Sequence, residues 1–346
     1  MISSTPSRKP QYVHTSGATR LNLTLAISEY EHARDLTSGL VQTDGIALTS
    51  LILPIEELAY RYLKNLEFDL AETSFAKYIG LVGTGNSPII AIPVFPARLF
   101  RHSAIYVRKD SAIQDAKGLE GRKVGIPEWA QTAGVYVRGL LSEYYGVALD
   151  KIQWVQASVN EPGREEKVNL SLPSSIHYEP RPDKSLSDML ASGEIDAALS
   201  ARPPRSFLRG DQKVVRLFSD FQREERTYYK ATGIFPIMHA ITMRREVFDA
   251  FPWVAKTMLT AFEESKNAAV ERMLEITTSR LPLPWGAALA ADVAETMGGD
   301  IWPYGVSANL HTLNAFCRFA HDQYLTSSLL TVEDLFPKEV IGTARV

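Results

Sequence analysis

Residues 45–74, GIALTSLILPIEELAYRYLKNLEFDLAETS, decide the fold class. Residues 45–53 form an apolar run that reads as a strand. Pro54 follows at a helix start, where the backbone donor that proline lacks would have no partner anyway. IEELAYRYLKNLEF spaces its apolar residues as a helix does, and residues 68–73 return as a strand. Strand, helix and strand in succession predict parallel strands with helices packed on the sheet, and they place ligands at the carboxyl ends of the strands.

The same alternation extends outward. Residues 21–27 read as a strand, and residues 35–39 as the end of a helical turn closed by glycine. Strand-like runs follow at 89–93 and 102–107, then at 123–126, 152–156 and 196–200, with the helices GVYVRGLLSEYYG and SLSDMLASG between the last three. Residues 234–243 lead back to the first set, and helices are expected over 245–278, 287–297 and 308–324. The expected organisation is a polar leader at 1–20, a discontinuous first lobe at 21–108 and 230–346, and a second lobe at 109–229. This is an α/β, two-lobed architecture with a ligand cleft between lobes. The stretch EPGREEKVNLSLPSSIHYEPRPDK is long, polar and proline-rich, and is expected as a structureless cover for that cleft.

Composition narrows the function classes. The 346 residues suffice for two cores. Hydrophobic residues at 45% and charged residues at 22% match ordinary globular usage, so a disordered or fibrous chain is not expected. A net charge of -3 provides no broad basic field, so nucleic acid is not an expected partner. The single cysteine, Cys317, has no internal disulfide partner and falls in an apolar helical pattern. The N-terminal MISSTPSRKPQYVHTSGATR lacks the apolar run of a signal peptide, and no stretch has the length needed to cross a bilayer. A cytoplasmic chain without a membrane partner is therefore expected, and association with further copies of itself is left open.

Several familiar sites are missing from the sequence. It has no histidine pair at metal-binding helical spacing, no Cys-x-x-Cys, no phosphate loop and no Gly-x-Ser-x-Gly elbow, so neither metal nor cofactor is expected. LVGTGNSP lacks the third glycine of a dinucleotide fingerprint and reads as a plain turn.

The informative feature is a set of polar and aromatic loops where strands end: ETSFAKYI, FPARLFRHS, GIPEWAQTAG, SARPPRS, GIFPIMH and DIWPYG. In GIPEWAQTAG, Trp129, Gln131 and Thr132 precede or start a helix whose free amides suit an oxyanion, although ordinary capping by Thr132 explains the same pattern. Arg101, beside Arg98 and His102, and Arg202, ahead of two prolines, offer planar guanidinium groups that grip carboxylates in pairs of hydrogen bonds. A salt bridge is the plainer role for either. His239 ends the apolar run IFPIM, where it can move a proton near neutral pH or simply be a core histidine. Glu72 and Ser74 line a pocket or start the next helix. Trp302 and Tyr304 stack on an aromatic ligand or anchor packing.

Taken together, AIPVFPARLFRHSAIYV, SLSDMLASGEIDAALSARPP, GIFPIMHAITMRREV, FPWVAKTMLTAFEESK and WPYGVSANLHTLNAF, in this order over about residues 20–340, resemble the 4,5-dihydroxyphthalate decarboxylases. The resemblance implies a type II periplasmic-binding-protein fold and loss of one carboxyl group from a hydroxylated aromatic dicarboxylate, giving protocatechuate. The family pattern often has glycine where this chain has Tyr324. Without a cofactor, such a reaction needs a proton donor to the ring carbon. His239 is the first candidate, with His102 and Glu72 for the other transfer, while Arg101 or Arg202 holds the second carboxylate. The chief alternative is a non-enzymatic binding protein for a small aromatic acid. Enzymes that make the thiamin pyrimidine use a cysteine-rich segment, which one cysteine does not supply.

Overall fold

The computed structural model describes residues 9–15, 17–210 and 213–342. Its strands form two six-stranded sheets. In the first sheet, β1 (Gln11–Thr15) folds back antiparallel onto β2 (Ala18–Ile27), and β2 runs parallel to β3 (Ile46–Ile52) and β4 (Leu70–Ser74). The helix Ile55–Asn65 makes the crossover from β3 to β4 and buries Leu58 and Tyr62. Its first turn carries Glu56 and Glu57, which suit the positive end of a helix dipole. β5 (Ile89–Arg98) runs five residues beyond the expected end at Pro93. It tolerates Pro93 and Pro96 because it lies at the margin of the sheet, where one side of the strand needs no amide donors.

The second sheet contains β6 (Ile105–Arg108), β7 (Lys123–Ile126), β8 (Gln153–Ser158), β9 (His177–Ser185), β10 (Ala197–Leu199) and β11 (Val214–Arg216), in the order β11-β6-β10-β7-β8-β9. β7, β8 and β9 run parallel, and the helix Leu186–Ser192 packs Leu186, Met189 and Leu190 into a core with Tyr106, Val155 and Ala198. Gly125 on β7 permits this close approach, since a Cβ there would stand 2.5 Å from a methyl of Leu186. β12 (Ile237–Arg244) returns to the first sheet, antiparallel to β4 and beside β5.

The chain divides into two compact units. One comprises the described residues of Met1–Ala97, His239–Leu313 and Thr331–Val346, and the other those of Arg98–Met238 and Asn314–Leu330. The crossings fall at 97/98 and 238/239 rather than near 108 and 230, because β6 hydrogen-bonds into the second sheet through β10 and β11. Residues 314–330 join the second unit as well. Phe316 packs on Tyr136 at 4.6 Å between ring centroids, and Gln323 bonds to Arg138.

Three further expectations are corrected. Residues 1–8 and 16 of the expected leader lie outside the described residues, but Gln11–Thr15 is a paired strand rather than leader. The proline-rich stretch ends in β9, which extends the second sheet. The helix expected over 245–278 breaks into Arg245–Ala250 and Trp253–Leu274, since Pro252 cannot donate within a continuous helix. Among the described residues, no helix is long and apolar enough to cross a membrane.

Candidate active site

In the first unit, β12 and β4 are antiparallel with His239 in register with Ser74 and Ile241 with Glu72. Residues two apart on a strand share a face, so the His239 and Glu72 side chains meet diagonally across the pair. Nδ1 of His239 stands 2.5 Å from Oε1 of Glu72. The same Oε1 accepts the hydroxyl of Tyr30 at 2.6 Å, and Oε2 accepts the backbone N–H of Ser28 at 2.8 Å. Ser28 and Tyr30 follow the carboxyl end of β2, so the cluster sits where parallel strands end.

Glu72 has no exposed surface, whereas the side chain of His239 retains 21%. Burial alone raises a carboxyl pKa, but the hydrogen bond and charge of His239, with the Tyr30 hydroxyl and the Ser28 amide, outweigh it and hold Glu72 below its ordinary value. An ionised carboxylate only accepts, so Nδ1 of His239 is the donor in this bond. Burial, and then the Glu72 charge, push the Tyr30 hydroxyl up, so it stays a donor.

An aromatic wall continues from this pair. The His32 ring lies 5.3 Å from Tyr30 and 5.0 Å from Trp302, and Tyr304 stands 6.5 Å from it. Trp302 donates its indole N–H to the Phe95 carbonyl on β5 at 3.0 Å. Burial lowers His32 to about 4, against a hydrogen bond with the Pro96 carbonyl that raises it, so the ring is neutral at pH 7. Thus His239, Glu72, Ser74, Trp302 and Tyr304 lie in one unit.

The second unit holds the remaining candidates. Among the described residues the Arg101 side chain makes one hydrogen bond, through Nε to Met238 Sδ at 3.2 Å, and no carboxylate lies within ion-pair distance of it. Burial lowers its pKa to about 10, with Glu225 opposing. A largely buried guanidinium without a paired carboxylate is suited to an incoming anion. Arg202 is exposed, and its carbonyl accepts the Ser200 hydroxyl at 2.6 Å. At the start of the helix Thr132–Gly139, Thr132 is buried and Gln131 presents a buried Oε1 with no partner among the described residues.

Two expectations fail on geometry. Trp129 is fully buried; its indole donates to the Gln323 carbonyl at 2.8 Å and its ring lies 4.1 Å from the Arg138 guanidinium. The Trp129 amide donates to Glu166, so the side chain anchors packing and its N–H is already used. His102 is likewise sealed, ringed by Tyr145, Phe218 and Tyr228, with neither ring nitrogen partnered among the described residues, and burial lowers it to about 4. It is a neutral core residue, without a path for proton exchange.

No protein-family model matches the chain. It is 36% identical over 318 residues to the 4,5-dihydroxyphthalate decarboxylase of Comamonas testosteroni, covering 92% of this chain and 96% of that one. Over 213 residues it is 39% identical to the enzyme of the same name from Pseudomonas putida, covering 61% and 83%. The chain belongs to the 4,5-dihydroxyphthalate decarboxylase family. Its fold is the two-lobed one of periplasmic binding proteins, as in the aliphatic sulphonate binding protein of Escherichia coli, with a TM-score of 0.52, 13% identity, and coverage of 92% of this chain and 98% of that one.

In this member of the decarboxylase family, sequence reasoning passed over Ser28, Tyr30 and His32. SEYEH, residues 28–32, follows a strand just as ETSFAKYI does, so the same positional rule identifies it. Tyr324 adopts a φ of 63°, the left-handed conformation that glycine enters without cost.

Proposed function

We propose that this chain is a carboxy-lyase that converts 4,5-dihydroxyphthalate to protocatechuate and carbon dioxide. The observation that carries the proposal is the 36% identity to a 4,5-dihydroxyphthalate decarboxylase over 92% of the chain.

The chemistry follows from the substrate. Each hydroxyl is para to one carboxylate-bearing carbon. Once that hydroxyl gives its proton to water, the oxygen pushes electron density onto the para carbon, which takes a proton from His239 and becomes tetrahedral. The bond to the carboxylate then breaks, its electrons restore the aromatic ring and the phenolate, and carbon dioxide leaves. The phenolate finally recovers a proton.

Nε2 of His239 gives the proton to carbon in this scheme. Glu72 has no exposed surface, so it acts through His239 by holding the tautomer and stabilising the imidazolium. Positioned proton transfer of this kind contributes about 10²- to 10⁴-fold. Arg101 is the proposed ligand for the carboxylate that stays, with Arg202, Gln131 and Thr132 as further polar contacts. Strong binding of the departing carboxylate would deepen the ground state without lowering the barrier.

The test is to incubate the purified protein with hydroxylated benzoates and phthalates while following carbon dioxide. Release from 4,5-dihydroxyphthalate, and none from phthalate, is expected. Tight binding of aromatic acids without release would instead make the protein a solute carrier. A cytoplasmic location is part of the proposal, and cell fractionation checks it.

A further inference from the structure

Oε1 of Glu72 receives two hydrogen bonds, from His239 at 2.5 Å and from Tyr30 at 2.6 Å. Two donors to one oxygen compete for its electron density, and each bond is weaker than it would be alone. We propose that Tyr30 is a positioning residue that loosens the hold of Glu72 on His239, making the imidazolium a better proton donor. The inference rests on the assignment of Glu72 and His239 as the proton-transfer pair.

Tyr30 is itself firmly placed. Its ring packs against His32, which packs against Trp302, which is tied to the Phe95 carbonyl. Oε2 is engaged separately by the Ser28 amide, so Tyr30 and His239 divide Oε1 alone. Among the described residues of this unit, the titratable groups beside the pair are Tyr30 and His32 from the segment after β2, and Tyr304, whose ring carries Lys266 5.6 Å above it. The Tyr30 hydroxyl is held up by burial and Glu72, and His32 is neutral, so neither changes charge near neutral pH. Tyr30 therefore acts by hydrogen bonding, without carrying charge.

Removing the phenol hydroxyl should concentrate the charge of Glu72 on its bond to His239. A stronger bond from Nδ1 to Glu72 makes the imidazole ring more electron-rich, so the proton on Nε2 is given up less readily, and Tyr30→Phe is expected to lower kcat by about tenfold while KM stays unchanged. The pH limb of kcat should move to higher pH than in the parent. The imidazole N–H proton shared with Glu72, read by NMR without substrate, should move downfield. On a Glu72→Gln background, Tyr30→Phe should have no further effect on that signal or on kcat.

An N–H resonance and pH limb that do not move in folded Tyr30→Phe protein overturn the inference, even if His239→Asn abolishes turnover. A shifted resonance together with full turnover in His239→Asn leaves the hydrogen-bond coupling standing and overturns the assignment of the pair to catalysis.

Discussion

His239 reaches Glu72 because β12 and β4 run antiparallel with Ser74 opposite His239, which brings the imidazole diagonally over a carboxylate two residues along the neighbouring strand. Most of the chemistry proposed for this protein depends on that one register. A shift of one residue would turn both side chains to opposite faces.

His239→Asn should reduce decarboxylation by about 10²- to 10⁴-fold in folded protein, since a proton donor is lost. Glu72→Gln should cost about 10²-fold or more, because an amide leaves the imidazole tautomer unset. Steady-state kinetics on both variants, with circular dichroism as the folding control, provide the check. Glu72 also links stability to pH. Its folded pKa is below the ordinary 4.5, so its contribution is complete above that value and is lost as pH falls through the folded value. Glu72→Gln should lose less stability on acidification than the parent.

Arg101→Lys should raise KM for the dicarboxylate by about tenfold with little change in kcat, because a point charge cannot form paired hydrogen bonds to a carboxylate. Direct titration of the variant with protocatechuate measures the same loss without turnover.

His102→Phe should leave turnover unchanged while altering acid stability. The folded value of His102 is about 4 against an ordinary 6.5, so the unfolded chain takes up a proton that the fold resists between those limits. The stability contributed by this neutral ring is full above about pH 6.5 and declines towards pH 4. Phenylalanine fits the cage of Tyr145, Phe218 and Tyr228 without titrating, so melting temperatures should fall less steeply across that interval.

Tyr324→Gly should stabilise the protein by about 1 kcal/mol, since a side chain in the left-handed region strains against its own carbonyl. Differential scanning calorimetry should show a rise in Tm of roughly 2 °C.

The strand ends that supply the candidate residues were legible in the sequence. His239 and Glu72 were named from strand ends, and the structure brings these two side chains together, whereas Arg101, named as a guanidinium beside aromatic residues, keeps its role as a proposal. The roles of His102 and Trp129 were not legible. Both occupy strand-end loops, as functional residues do, yet both are sealed by residues far along the chain: His102 by Phe218 and Tyr228, Trp129 by Arg138 and Gln323. Burial of this sort is a property of distant packing, which local spacing does not encode.

The order of apolar runs, helix starts and breaks along the chain determined an α/β protein with parallel strands, and shared motifs determined its family. Those properties are local, set by backbone sterics and by residues near one another in sequence. The hydrogen bonds of Glu72 were decided only in three dimensions, because Tyr30, Ser28 and His239 reach it from separate strands. Which candidate histidine keeps a path to solvent was likewise settled by the closing of the core around His102.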